Sequence, residues 1–260
     1  MQATDLMHRL RLVAAVVNAA GQTALSRFRS RDFTVSAKGR QDLVSDVDRT
    51  TEASLRDALT NAFPDTTFLG EEGGGTVGDL AWVVDPIDGT SNFVRGMPHW
   101  CLSVGLLHLG RPVLGVIHDP NLNETFTGVV GTGAWLNGDP IRVGSARPLS
   151  EATLGIGFNL KADRARHAAL IGKLISHDCL YRFMGSGALG LAWAAAGRTD
   201  GFWEERIMPW DVAAGLAIAE AAGAQVSDYW SPECWAVGNS VLVAAPELAP
   251  AFANLAYSSG

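Results

Sequence analysis

Residues 80–143 most restrict what this chain can fold into, because their apolar runs are short and are separated by turn signals. "LAWVVD", "WCLSVGLLHLG", "RPVLGVIHDP", "NETFTGVV" and "GAWLNGDPIRV" follow one another, and Asn137-Gly138-Asp139-Pro140 is strong hairpin punctuation. The region reads as an antiparallel sheet. Upstream, Leu6, Leu10, Val13, Val17 and Ala20 fall on one face of a helix over 6–28. A second helix is expected over 44–63, closed by Pro64-Asp65, and "TTFLGEEGGG" reads as a strand running into a glycine-rich loop. After about Ser145 the pattern changes. Helices near 164–176, 188–196 and 211–222 alternate with short strands such as "ATLGIGF" and "SVLVAA", which predicts layered sheets and helices.

A chain of 260 residues is one large domain or two tightly joined ones. No low-complexity linker separates the halves, so a soft boundary near Ser145 divides two α/β lobes, 1–145 and 146–260, with an intimate interface. With 47% hydrophobic and 18% charged residues, disorder is excluded. The formal charge of -7, without a Lys/Arg cluster, disfavours nucleic-acid and anionic-membrane partners. A phosphorylated small molecule remains compatible if a divalent metal supplies positive charge locally. Cys101, Cys179 and Cys234 fit neither a disulfide framework nor a CxxC zinc site, and read as reduced thiols of a cytoplasmic protein. Asp5, His8, Arg9 and Arg11 make the N-terminus an amphipathic helix and not a signal, and no apolar run reaches the roughly 20 residues of a membrane span.

Chemistry concentrates in "WVVDPIDGTSNF", 82–93. Pro86 cannot donate to a ladder, so the strand is expected to stop at Asp85. Gly89 permits close backbone approach, Thr90 or Ser91 is a suitable N-cap, and the amides of Gly89 and Thr90 are then free for an anion. Two carboxylates this close are tolerable around a divalent cation, with Asp85, Asp88 and the Ile87 carbonyl as hard oxygen ligands. The same residues also suit an Asx turn holding no ligand. Glu71-Glu72 follows Gly70 in a loop, while Asp211 opens a helix, where an acid serves equally as a cap. Lys38, Asp42, Asp46 and Asp48 suit a solvated, well-capped helix start just as well.

Together "GEE" at 70–72, "WVVDPIDGTSNF" at 82–93 and "PWDVAAG" at 209–215 resemble the three signature motifs of the inositol monophosphatase family, and "KGRQDLVSDVD" at 38–48 resembles its upstream element. The resemblance implies a layered α-β-α-β-α sandwich, usually a homodimer, with two or three Mg²⁺ per active site, lithium sensitivity and a small-molecule phosphate ester as substrate. It implies that Glu71, Asp85 and the Ile87 carbonyl match one metal site, and Asp85, Asp88 and Asp211 a second. A third, weaker ion uses Glu71. Gly89 and Thr90 match the phosphate donors, and Thr90 with Asp48 matches the pair that activates water, so Asp48, Thr90 and Glu71 are the expected catalytic residues. "RFMGSGALG" at 182–190 and "FWEER" at 202–206 resemble the segments that contact the alcohol, with Asp88, Gly187 and Glu204 as substrate contacts.

The expected activity is hydrolysis of inositol 1-phosphate or a similar polyol phosphate. Histidinol phosphate, fructose 1,6-bisphosphate and NADP or nucleotide phosphates are the alternative substrates, and a non-catalytic regulatory binding protein is the alternative class. No P-loop, dinucleotide fingerprint or nucleophile elbow is present. His99, His108 and His118 read as structural, and Trp82, Trp100 and Trp135 as core.

Overall fold

The computed structural model describes residues 1–39, 42–145 and 147–258. Helix α1 (Ala3–Ser30) is longer than the expected 6–28 and buries Leu6, Leu10, Val13 and Val17. Strand β1 (Val35–Gly39) pairs antiparallel with β2 (Asp42–Ser45), and α2 (Asp46–Ala62) follows. Residues 44–45, expected to begin the helix, are therefore strand. Pairing with β1 makes them strand, and a capping box starts the helix only after Ser45: the Ser45 hydroxyl accepts from the Val47 and Asp48 amides while the Asp48 carboxylate accepts from the Ser45 amide. Such a cap needs extended backbone at Ser45.

Strands β3 (Thr67–Gly70), β4 (Gly74–Gly75) and β5 (Leu80–Asp88) are followed by the short α3 (Thr90–Arg95). Then come β6 (Cys101–His108), β7 (Arg111–Asp119), β8 (Glu124–Val129), β9 (Gly133–Leu136) and β10 (Asp139–Pro140). They form an eight-stranded sheet in the order β10-β9-β8-β7-β6-β5-β3-β4, antiparallel except between β3 and β5. Strand β5 does not stop at Asp85. It runs to Asp88 through a register shift, with Asp85 opposite Ser103 and Asp88 opposite Cys101. The irregularity places Pro86, which lacks an N–H, where the ladder is already interrupted.

The rest of the chain comprises β11 (Thr153–Ile156), α4 (Arg164–Ser176), β12 (Leu180–Phe183), α5 (Gly187–Ala195), β13 (Gly201–Ile207) and α6 (Pro209–Ala221). Strand β14 (Gln225–Val226), helix α7 (Cys234–Val237), strand β15 (Asn239–Ala244) and helix α8 (Ala249–Tyr257) complete it. A five-stranded sheet results, ordered β12-β11-β13-β15-β14. Helices α1 and α2 cover the outer face of the large sheet, α5 and α6 lie between the sheets, and α4 and α8 close the far face. The architecture is the α-β-α-β-α sandwich. Helix α6 is apolar nearly all round and buried from Val212 to Ala219, as a helix between two sheets must be.

Gly105, Gly115 and Gly128 stand opposite one another across β6, β7 and β8. A Cβ at Gly105 would lie 2.8 Å from the Ala214 amide nitrogen, one at Gly128 would lie 2.6 Å from Ile218 Cα, and one at Gly115 would overlap the Ala214 carbonyl. Helix α6 thus rests directly on the strand backbones. Its first turn meets the adjacent strand end, where the Ser103 hydroxyl donates to the Trp210 carbonyl at 3.3 Å. Trp82 and Trp100 are fully buried core residues, while Trp135 is half-buried and packs against the same core cluster.

Candidate active site

The end of β5 turns sharply into α3. Gly89 is its N-cap, one residue before the expected Thr90 or Ser91, because the turn needs φ 96°. A Cβ there would also crowd the His99 carbonyl at 2.8 Å. The Thr90 hydroxyl lies 2.9 Å from Asp48 Oδ1 and 3.0 Å from the Ile87 carbonyl, and donates its one proton to either. The other Asp48 oxygen accepts from the Ser45 amide at 2.9 Å and from the Ser45 hydroxyl. Burial pushes the Asp48 carboxyl up, and the bonds from Ser45 and Thr90 oppose the shift.

Three further carboxylates converge. Oxygens of Glu71, Asp85 and Asp211 all lie within 4.8 Å of one another. Glu71 follows β3, and its amide donates to the Val84 carbonyl at 3.1 Å, which sets it beside Asp85 on the parallel neighbour. Asp85 Oδ1 accepts from the Ile87 amide at 2.9 Å. Asp211 comes from the first turn of α6, where it also accepts from the Met208 amide at 3.2 Å, so it caps its helix and joins the cluster. Burial, reinforced by the charges of Glu71, Asp88 and Asp211, pushes Asp85 well above the usual carboxylate range. Burial and the Asp88 charge push Asp211 up to about 7.

Asp88 stands apart from that trio. Its Oδ2 accepts from the Ser186 hydroxyl at 2.5 Å and the Ala188 amide at 2.7 Å, and the Gly187 amide bonds the same carboxylate. Burial raises its pKa and these donors oppose the rise. Beyond it, Asp88, Gly157, Ser186, Gly187, Glu204 and Asp211 help line a cavity of about 180 Å³. Glu204, buried in β13, is pushed well above its ordinary value by burial and by the charges of Asp211 and Asp88. A Cβ at Gly157 would overlap Glu204 Oε2, so that glycine leaves the carboxylate its place.

The expected residues are thus brought together, with Asp88 and Gly187 bonded to each other. Asp46 instead pairs with Arg27 at 2.9 Å on the periphery. The side chains of Lys38 and Asp42 lie outside the described residues. His118 is fully buried, bonded to Thr125, and structural as expected. Sequence reasoning missed Ser45, Ser186 and Glu52. Ser186 had no local signal, since its partner is far away in the chain. Glu52 had one: it follows Asp48 by a single helical turn.

Buried carboxylates crowded this way suit a hard divalent cation, which takes oxygen ligands and removes their mutual repulsion. Among the described residues no ion pair joins Asp85, Asp88 or Asp211 to a base. The donor set therefore fits Mg²⁺.

Residues 6–259 match the model of the inositol monophosphatase family. The Nus factor SuhB of Escherichia coli strain K12 is 36% identical over 248 residues, covering 93% of each chain. The inositol-1-monophosphatase of Rhizobium meliloti is 40% identical over 222 residues, 84% of each. The structure of the extragenic suppressor protein suhB from Bartonella henselae superposes with a TM-score of 0.89 at 29% identity, covering 97% of this chain and 100% of that one.

Proposed function

The chain belongs to the inositol monophosphatase family, and from that premise we propose that it is a Mg²⁺-dependent phosphomonoesterase releasing phosphate from inositol 1-phosphate or a similar polyol phosphate. One observation carries the reading: the Glu71, Asp85 and Asp211 oxygens converge beside the turn at which Thr90 bonds Asp48.

In this reading Glu71, Asp85 and the Ile87 carbonyl hold one ion, Asp85, Asp88 and Asp211 a second, and Glu71 a weaker third. Bound Mg²⁺ neutralises phosphate charge and makes a coordinated water more acidic. The protein's own groups do the rest. The amides of Gly89 and Thr90 seat the phosphate at the start of α3. The Thr90 hydroxyl, held by Asp48, orients the attacking water, and Asp48 receives its proton through that hydroxyl. Glu71 is the third catalytic residue, through the ions it would hold. The water oxygen bonds to phosphorus as the ester P–O bond breaks, and the leaving alkoxide takes a proton from solvent water to become the alcohol. Glu204 accepts hydrogen bonds from the polyol, and Asp88 and Gly187 are further substrate contacts, the Gly187 amide once it leaves the Asp88 carboxylate that it bonds in the structure.

A panel of phosphate esters, including inositol 1-phosphate, histidinol phosphate, fructose 1,6-bisphosphate and NADP, compared by kcat/KM in Mg²⁺, tests the proposal. Preference for inositol 1-phosphate supports it. Absence of hydrolysis of every ester overturns it.

A second reading, a partner-binding protein, is favoured by relatives named Nus factor. Failure to bind divalent ions at millimolar Mg²⁺ would select it. The two-lobe division at 1–145 and 146–260, a homodimer, lithium inhibition, a cytoplasmic location and the absence of nucleic-acid partners belong to the first proposal. Among the described residues no helix is long and apolar enough to cross a membrane.

A further inference from the structure

Helix α2 presents Asp48, Glu52 and Arg56 at successive turns of one face. Asp48 serves Thr90. Glu52, 3% exposed, reaches the loop that follows β3. Its Oε2 accepts from the Glu72 amide at 2.7 Å, and its Oε1 accepts from the Gly73 amide at 2.9 Å and from Arg56 Nη2 at 3.0 Å. Arg56 Nη2 in turn donates to the Gly74 carbonyl at 2.9 Å, and the guanidinium lies 4.2 Å from the centroid of the Phe68 ring.

The fit leaves no slack. A Cβ at Gly73 would come within 2.7 Å of Glu52 Oε1, and a Cβ at Gly70 would overlap the same carboxyl group. Glu71 lies between these two glycines. Its backbone is fixed on one side by the bond to the Val84 carbonyl at 3.1 Å and on the other by Glu52 holding the next two amides. Charge-assisted bonds to two consecutive amides restrain orientation more than a single neutral bond does.

We propose that Glu52 is a positioning residue: by locking residues 72–73 it fixes the Glu71 carboxylate against Asp85 and Asp211, and so sets divalent-ion affinity without touching the ion. The inference rests on the metal-site reading of that cluster. It differs from a merely structural role, in which Glu52 satisfies a turn and affects only stability. Groups that orient a ligand from behind typically change metal affinity about 10–100-fold when removed.

The test is calorimetric titration of the metal-free full-length protein with Mg²⁺. Wild type, Glu52→Gln, Glu52→Ala and Leu55→Ala are compared; Leu55 is a fully buried α2 residue that serves as a stability control. Glu52→Gln should weaken Mg²⁺ binding about tenfold and Glu52→Ala further. With inositol 1-phosphate the apparent Mg²⁺ activation constant should rise likewise, while substrate KM at saturating Mg²⁺ stays within about twofold. Leu55→Ala should lower Tm and leave affinity unchanged. Wild-type affinity in Glu52→Gln, or equal losses in Glu52→Gln and Leu55→Ala, overturns the inference while leaving the metal site standing. Absence of Mg²⁺ binding by wild type overturns the metal reading and this inference with it.

Discussion

Thr90 and Asp48 are joined at 2.9 Å, and that contact ties the first turn of α2 to the turn that follows β5. Both residues belong to elements whose backbones are fixed independently, Asp48 by the capping box and Thr90 by the left-handed Gly89. The hydroxyl is therefore aimed before any substrate arrives.

If the pair acts as a unit on water, Thr90→Val and Asp48→Asn each lower kcat by about 10²–10⁴. The double variant should lose little more than either single one, because units of this kind are strongly non-additive. Steady-state kinetics on inositol 1-phosphate decide it, and independent multiplicative losses would break the pairing.

Removal of divalent ions by EDTA should abolish hydrolysis, and added Mg²⁺ should restore it. Asp85→Asn should resist restoration, since Asp85 belongs to both proposed ion sites. Phosphate release at several Mg²⁺ concentrations is the measurement; full activity of Asp85→Asn would refute the assignment.

Substrate preference should separate from chemistry at Glu204. Glu204→Gln is expected to raise KM for inositol 1-phosphate about tenfold, the worth of roughly one charge-assisted hydrogen bond, while kcat for p-nitrophenyl phosphate holds. Gly157→Ala should reproduce the defect, because its methyl group takes the space of Glu204 Oε2. Equal losses on both substrates would show that Glu204 is not a specificity contact.

Acid should loosen the packing of α1 on the large sheet. His118 is fully buried, its Nδ1 is 3.0 Å from the Thr125 hydroxyl, and Asn18 of α1 donates to that hydroxyl at 2.9 Å. Burial pushes the imidazole down to about 4. The unfolded chain takes up its proton near the ordinary value of 6.5, the folded chain only near 4, so the unfolded state binds more protons between them. The contribution is whole above pH 6.5 and is lost as pH falls toward 4, at most about 3 kcal/mol. Urea midpoints at pH 7.5 and pH 5 should differ for wild type and differ less for His118→Gln; identical pH dependence would dismiss the role.

Most of the architecture was legible because its causes are local. The alternation of 80–143 gave away the antiparallel strands, and helix α4 falls at the expected 164–176. The acid cluster was legible only through the resemblance: Asp85 and Asp88 are close in sequence, but it took the family's three motifs to join them to Glu71 and Asp211. Two errors share one cause. Strand β5 passes Pro86 because a register shift absorbs the missing donor, and residues 44–45 are strand because of their pairing with β1. Neither pairing can be seen in a single segment. Ser186 and Glu52 were missed because each acts on a partner brought near only by tertiary packing.

The three aligned glycines beneath α6 make the distance between the halves of the cluster adjustable by single methyl groups. An added Cβ stands about 1.5 Å off the backbone and acts as a shim under a rigid rod. Gly128→Ala would press on Ile218, whereas Gly105→Ala would press on Ala213 and Ala214, nearer Asp211 in sequence. An alanine in the stripe would therefore reach Asp211 only by displacing the helix that carries it, from a position that itself touches none of the acids.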